Sequence, residues 1–261
     1  MVNRLKLVSP AYLDEYNRKC NIDWLQAIQQ LKSKAGFTPQ DFEYCLIASS
    51  LFSSKIEGNS LDFNSFYRNR GKKDVPKRKE VEEIEDLVKA YKFASENNLS
   101  VSAFLQAHKL FSATLVKPSE RGKFRKDQVG VYDRATGRPV YMAVEPQFVK
   151  DEMAKLFEDI QVLLDRKLST KEVFYYASML HLWIAMVHPF ADGNGRAARL
   201  LEKWFLVSKL AEGAWSVNSE KYYWDHRPEY YANISPGFNY YTLKWERCVP
   251  FLSMLVEGIS G

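Results

Sequence analysis

At 261 residues, with 46% hydrophobic and 14% aromatic side chains, the chain can bury a large core as one big domain or two small ones. No stretch approaches the ~18 apolar residues of a membrane-spanning helix and the N-terminus has no apolar targeting core, so the expected location is the cytoplasm, with no membrane partner. A formal net charge of +5 is mild and says only that acidic or phosphate-bearing ligands are not repelled, and three widely spaced cysteines, Cys20, Cys45 and Cys248, fit neither a disulfide framework nor a zinc site.

Residues 1–20 are mixed in character, and residues 23–34 (DWLQAIQQLKSK) carry a short amphipathic helix pattern closed by Gly36. Thr38, Pro39 and Asp41 then supply an N-cap, a proline at the first helical position and an acidic first turn. The helix they open has Phe42, Cys45, Leu46 and Ser49 in its apolar stripe and ends at Ile56 and Glu57, with Gly58 as a left-handed terminator. Glu57 thus falls in the last turn, where the macrodipole disfavours a carboxylate by roughly 0.3–1 kcal/mol. Lys55 is the nearest local compensation.

Residues 68–79 (RNRGKKDVPKRK) hold seven Lys or Arg against one Asp. No aromatic interleaves the run and no DNA-reading motif accompanies it, so it reads as a solvated loop and nucleic acid is not the expected partner. A charge-laced helix follows over 79–97 with Val81, Ile84, Leu87, Val88 and Tyr91 inward, and Ser100 or Ser102 opens another to residue 115. His108, inside that helix, reads as a packed core residue. Between 123 and 146 the pattern changes: Val129, Val131 and Tyr132, then Val140 and Tyr141, flank a turn over 133–139. That predicts one β-hairpin in an all-α chain, with an edge able to take an extended peptide by strand addition.

Pro146 opens a helix to about residue 167, and Ser169 with Glu172 forms a capping box launching a long helix to His188, with Phe174, Ala177, Leu180 and Ile184 in its stripe. Residues 188–199 (HPFADGNGRAAR) then read as a phosphate site with a base attached. Asn194 is suited to cap the next helix, and Gly193 and Gly195 lack the Cβ atoms that would keep a phosphate from the free N–H groups of its first turn. Arg196 and Arg199, at i and i+3, share one helix face and can reach further phosphate oxygens. Asp192 is suited to hold Mg²⁺ together with substrate phosphates. His188, before a proline, ends the preceding helix and leaves its imidazole at the loop edge to take a proton from a hydroxyl. Beyond it, Leu200, Leu201, Trp204, Phe205 and Ser208 form the inward face, with Lys203 continuing the basic face as a solvated residue. Short helical patterns at 225–231 and 241–256 complete the chain, the last with Trp245 and Phe251 inward.

The sequence His188-Pro189-Phe190-x-Asp192-Gly193-Asn194-Gly195-Arg196-x-x-Arg199 resembles the signature of Fic domains, with no position out of pattern. Ser53, Glu57 and Gly58 resemble the inhibitory motif that a sub-class of the family carries on a helix before the core. Gly122 to Arg125 and His226, Arg227, Tyr230 and Tyr231 extend the likeness over roughly residues 40–258. The resemblance implies an all-α Fic fold with a β-hairpin flap. Its organisation would be an N-terminal helical region, 1–99, with the inhibitory helix at about 39–58, and a core, 100–261, with the flap at about 127–143. It further implies transfer of AMP from ATP, with Mg²⁺, to a Ser, Thr or Tyr hydroxyl of a protein, this chain itself among the candidates. Glu57 would pair with Arg199 and deny it to the γ-phosphate. The flap residues Val129, Val131, Tyr132, Val140 and Tyr141 would dock the target, Tyr230, Tyr231 and Asn239 would form the adenine pocket, and a homodimer becomes a candidate assembly. Two rivals remain: removal of AMP with Glu57 aligning a water, and a non-catalytic regulator that senses ATP or binds nucleic acid.

Overall fold

The computed structural model describes residues 4–20, 22–33, 37–132 and 136–259. Gly36, expected to close a helix, and residues 133–135 of the hairpin turn lie outside them. The described chain forms helices α1 (Leu13–Lys19), α2 (Trp24–Ser33), α3 (Pro39–Ile56), α4 (Phe63–Asn69), α5 (Arg78–Glu96) and α6 (Val101–Phe111), then strands β1 (Gly130–Tyr132) and β2 (Pro139–Met142). Helices α7 (Pro146–Asp165), α8 (Thr170–Val187), α9 (Asn194–Leu210), α10 (Ser219–Asp225), α11 (Arg227–Asn233) and α12 (Val249–Glu257) complete it. This is the expected all-α fold with one hairpin.

The starts of the long helices follow from local chemistry. Thr38 Oγ1 accepts the Asp41 N–H at 3.1 Å while Asp41 accepts the Thr38 N–H at 2.9 Å, closing a capping box at α3. Ser169 and Glu172 do the same for α8. Ser100, rather than Ser102, caps α6, which stops at Phe111 instead of reaching 115. The last helix begins at Val249, because 240–247 coil into two short 3-10 turns before Pro250 sets the helical φ.

The interior is built around α3, α8 and α9. Each is buried nearly all round: α3 from Leu46, α8 from Val173 and α9 over its first three turns. Single inward stripes therefore understate their burial. The correction is largest at Lys203, which is fully buried rather than solvated: its Nζ lies 3.0 Å from Glu220 and donates to the Val217 carbonyl. The polar face of α9 meets α3 and the 212–220 segment instead of water, so each charge on it needs a fixed partner. Burial alone would raise the Glu220 carboxyl, but Lys203 and a 2.7 Å hydrogen bond from Tyr91 hold it below the usual carboxylate range. At the far side of the bundle Asp159, also buried, accepts the N–H groups of Lys6, Leu7 and Val8 at 2.7–2.8 Å and ties the N-terminal segment to α7.

The hairpin pairs antiparallel, Gly130 with Met142 and Val131 with Tyr141, with an irregularity before Tyr132. It does not stand alone. Met142 donates to the Phe238 carbonyl at 2.8 Å and forms a parallel bridge with Asn239, and the Tyr141 hydroxyl donates to the Met186 carbonyl of α8 at 2.7 Å. One flank of β2 is thus already used.

Candidate active site

The loop between α8 and α9 begins at His188, which ends α8 in a left-handed conformation, φ 51° and ψ 58°, unusual for a side chain with a Cβ. Arg125 stabilises it: the guanidinium donates to the carbonyls of His188 at 2.8 Å, Asp127 at 2.9 Å and Val144, while the Arg125 N–H donates to the Pro189 carbonyl at 2.9 Å. One buried cation therefore joins the loop to the base of the flap. The His188 Nδ1 lies 3.2 Å from the Ala185 carbonyl, which can only accept, so Nδ1 carries the hydrogen and Nε2 keeps a lone pair. Burial, seconded by the charge of Arg125, holds the imidazole below its ordinary range and so neutral at neutral pH. A neutral imidazole with a free Nε2 is what a general base requires.

Phe190 anchors the loop in the core, stacked on His108 at 3.7 Å with the rings 7° apart. His108 does more than pack. Its Nδ1 accepts the Gly122 N–H at 2.9 Å and its Nε2 donates to the Asp192 carbonyl at 3.1 Å, and burial pushes the imidazole down to about 4. Asn194 is not the cap of α9: Gly193, at φ 84°, takes that place, and the Asn194 amide turns back to hold both the N–H and the carbonyl of Phe190, at 2.8 and 2.9 Å. Its task is to close the loop. Because a glycine cap has no side chain to offer, the first-turn N–H groups of α9 remain available to an anion. A Cβ on Gly193 would strike the Phe111 ring at 2.8 Å, and one on Gly195 would come within 2.3 Å of Glu57 Oε1. The carboxylate of Glu57 therefore lies against the N-terminus of α9, where only a glycine admits it.

Glu57 reaches that position from the turn after α3, where Gly58 is left-handed at φ 106°. Its Oε1 accepts from Arg199 Nη2 at 2.7 Å. The rest of the guanidinium is spread over Ser53, whose hydroxyl accepts from Nε at 2.8 Å and whose carbonyl accepts from Nη2 at 3.1 Å, and Tyr230, whose hydroxyl accepts from Nη1 at 3.1 Å. Burial alone would lower the Arg199 pKa, but Tyr230 and Glu57 beside it hold it above the ordinary value. Ser53, Glu57 and Arg199 are thus brought together as expected. Tyr230 is not a wall open to a base; it is buried and bonded to Arg199. Tyr231 is 44% exposed and donates to the Ile56 carbonyl at 3.0 Å, at the end of the helix that carries Glu57. Asn239 serves the backbone: its Oδ1 accepts the N–H groups of Tyr241 and Thr242 at 3.0 and 3.1 Å.

Asp192 is exposed at the loop rim, with Oδ1 accepting its neighbour's N–H at 2.6 Å. It lines a pocket of about 350 Å³ together with Arg196, Lys79 and three more carboxylates, Glu57, Glu80 and Glu83. That volume suits a phosphate chain, but four acids against two bases would repel a bare one. Entry of an anion requires a cation beside it, and Asp192 fits a shared Mg²⁺: one carboxylate at the rim, the remaining ligands coming from phosphate and water. Among the described residues no group of three or more His, Cys, Asp or Glu could hold a metal by itself. Arg196 lies 3.4 Å from Glu83 of α5, a partner the sequence did not suggest.

Of the flap residues, Val131, Tyr132 and Val140 face outward, Tyr132 at 55% exposure. Tyr141 is corrected: it is buried, and its hydroxyl anchors the flap to α8. Val129 is partly buried against the core and its carbonyl accepts the Ala143 N–H at 3.3 Å.

Residues 98–206, from the start of α6 through α9, match the Fic/DOC family. That stretch is a Fic domain. The likeness in structure runs further than the sequence match: a Fic family protein from Desulfovibrio desulfuricans G20 superposes with a TM-score of 0.72 over 98% of this chain and 74% of that one, at 20% identity. In sequence, the Fic domain is similar to protein adenylyltransferase fic-1 of Caenorhabditis briggsae, 31% identical over 105 residues, which is 40% of this chain and 18% of that protein. It is also similar to protein adenylyltransferase Fic of Drosophila erecta, 28% identical over 160 residues, or 58% of this chain and 30% of that one. The matched stretches thus span less than a third of these relatives. Arg125 and His108, which hold the loop of this Fic domain, carry no local signal beyond the Gly122 to Arg125 segment; their roles depend on contacts 63 and 84 residues away.

Proposed function

We propose that this chain is a Mg²⁺-dependent protein adenylyltransferase restrained by its own α3. The observation that carries the reading is the position of Glu57, whose carboxylate occupies the N-terminus of α9 and holds Arg199 while a neutral His188 stands at the same loop. An anion site, a base and a removable anion mimic lie on one rim. In the active state His188 Nε2 takes the proton of a target hydroxyl, whose oxygen bonds to the α-phosphorus of ATP as the bond to pyrophosphate breaks. The first-turn N–H groups of α9 at Asn194 and Gly195 receive the charge growing on the transferred group, Arg196 and Arg199 orient the β- and γ-phosphates, and the Asn194 side chain keeps the loop closed. Asp192 would hold Mg²⁺, which would supply neutralisation of phosphate charge. The outward Val131, Tyr132 and Val140 give the target segment a strand edge and apolar contacts beside the loop.

The test is a pair of labelling reactions on Glu57→Gly with ATP labelled at the α- or the γ-phosphate. Transfer of the α label alone, at least tenfold above the parent protein, is expected. Transfer of the γ label alone would make the protein a kinase, and no gain over the parent would remove Glu57 as a restraint. Glu57 also lines the pocket with Asp192, which favours one second reading, removal of AMP through a water aligned by this carboxylate. An AMP-modified target separates the two, since a hydrolase loses activity in Glu57→Gly where a transferase gains it.

A further inference from the structure

Arg199 is gripped on its far side by a chain of hydrogen bonds that leads away from the pocket into the core. Nη1 donates to the Tyr230 hydroxyl at 3.1 Å, that hydroxyl lies 3.0 Å from His181 Nε2, and His181 Nδ1 lies 2.7 Å from Glu202 Oε2. Tyr223 donates to the same carboxylate oxygen at 2.9 Å. His181 and Glu202 are fully buried and neither lines the pocket beside Asp192. Glu202 Oε1 has no hydrogen-bond partner among the described residues. A buried carboxylate with one orphan oxygen is a costly way to fill space that a leucine would fill as well, so its retention calls for a task.

The chain has a direction. An ionised Glu202 can only accept, so His181 carries its hydrogen on Nδ1 and offers a lone pair at Nε2. Tyr230 must then give its single O–H to His181, which turns an oxygen lone pair, and not a hydrogen, toward Arg199. The opposite tautomer of His181 would leave the Tyr230 hydrogen competing with those of the guanidinium.

We propose that His181, Glu202 and Tyr230 are positioning residues that hold Arg199 ready for the γ-phosphate, a reading that rests on the nucleotide function above. The other partners of Arg199, Ser53 and Glu57, both belong to α3 and its following turn, so whatever withdraws Glu57 loosens them together. Tyr230, on α11, is the partner that stays. Release of Glu57 then exposes an arginine already in place, supported by the core behind it.

The experiment measures ATP and ADP affinity in a Glu57→Gly background, because only ATP offers Arg199 a γ-phosphate. Tyr230→Phe, which keeps the ring, is expected to weaken ATP about tenfold while leaving ADP within about twofold. Its effect on ATP should vanish when Arg199→Ala is already present. His181→Leu, which removes the acceptor of the Tyr230 hydrogen without touching Arg199, is read by the same ATP-to-ADP ratio should thermal melting show Tyr230→Phe misfolded. Equal weakening of ATP and ADP, or an undiminished effect beside Arg199→Ala, overturns the relay while leaving the nucleotide reading intact. Absence of ATP binding to Glu57→Gly itself overturns both.

Discussion

The two sides of the site are held in different ways. The loop from His188 to Gly193 is tied into the core by Phe190 and His108, across by Arg125 and along its own chord by Asn194, all through buried groups. The turn carrying Glu57 is 25% exposed at that side chain and reaches the loop chiefly through Arg199, with Tyr231 bracing the end of its helix. The loop is built into the core, and the Glu57 turn is laid against it. On the proposed function, a carboxylate that lies against the N-terminus of α9 would be exchanged for a phosphate without disturbing the base, the nest or the loop.

The comparison breaks most visibly at His188. In the Glu57→Gly protein, His188→Ala should reduce AMP transfer by roughly a hundred- to ten-thousand-fold while ATP still binds, since the base acts only in the transition state. Unchanged labelling would place the chemistry elsewhere. The pH profile follows the same logic: burial holds His188 below its ordinary range, so the neutral base persists through neutrality and kcat/KM should fall on the acid side only below about pH 6.5. An acid limb above that value would contradict the assignment.

Rigidity of the loop is tested at Arg125. Replacing it by alanine leaves the buried Val144 carbonyl and the half-buried His188 carbonyl short of a donor, and stability should drop by about 2–4 kcal/mol by chemical denaturation. A loss below about 1 kcal/mol would show that the loop is held without it. Labelling by the surviving folded protein should fall as well, because the αL conformation of His188 depends on this cation.

His108 gives the same idea a pH axis. Its imidazole titrates at about 4 when folded, against about 6.5 when free, so the unfolded chain binds the proton first as pH falls. Stability from neutral His108 is complete above about pH 6.5 and is lost as pH drops toward 4, by about 3 kcal/mol in all. Melting at pH 7 and pH 5 should therefore show a decline that His108→Gln flattens. An equal decline in that variant would assign the acid sensitivity to other groups.

How much of this was legible in the sequence divides along the same line. Thr38 with Asp41, Ser169 with Glu172, and Gly58 act within four residues, so helix starts and the αL stop can be read directly. The stretch from His188 marks the loop between two helices, but Asn194 closes that loop instead of capping α9, and Glu57 reads as locally offset by Lys55 until the family resemblance supplies Arg199 as its partner. What could not be read is which polar faces meet water. Lys203 follows Arg199 at one turn and has every local mark of a solvated lysine, yet Glu220 and the Val217 carbonyl close over it. Tyr230 looked like an open aromatic and Tyr141 like a docking residue, because a hydroxyl reaching a particular arginine or carbonyl is decided by packing between helices. Buried polar seams are tertiary facts, and single-helix periodicity has no access to them.

The finest test lies at Glu83, which could belong to either side. It faces Arg196 at 3.4 Å, longer than the 2.7 Å between Glu57 and Arg199, and Glu83 and Arg196 both border the open pocket. If Glu83 restrains as Glu57 does, Glu83→Gln in the Glu57→Gly background removes a carboxylate that repels the phosphate chain and frees Arg196. ATP should then bind about two- to fivefold tighter, in keeping with the ~0.2–1 kcal/mol of a partly solvated pair. If instead it orients Arg196, the same change weakens ATP. We expect tightening, because the contact is too long to fix a guanidinium and a phosphate oxygen offers Arg196 a stronger acceptor. Weakened binding would move α5 to the rigid side and leave α3 as the restraint.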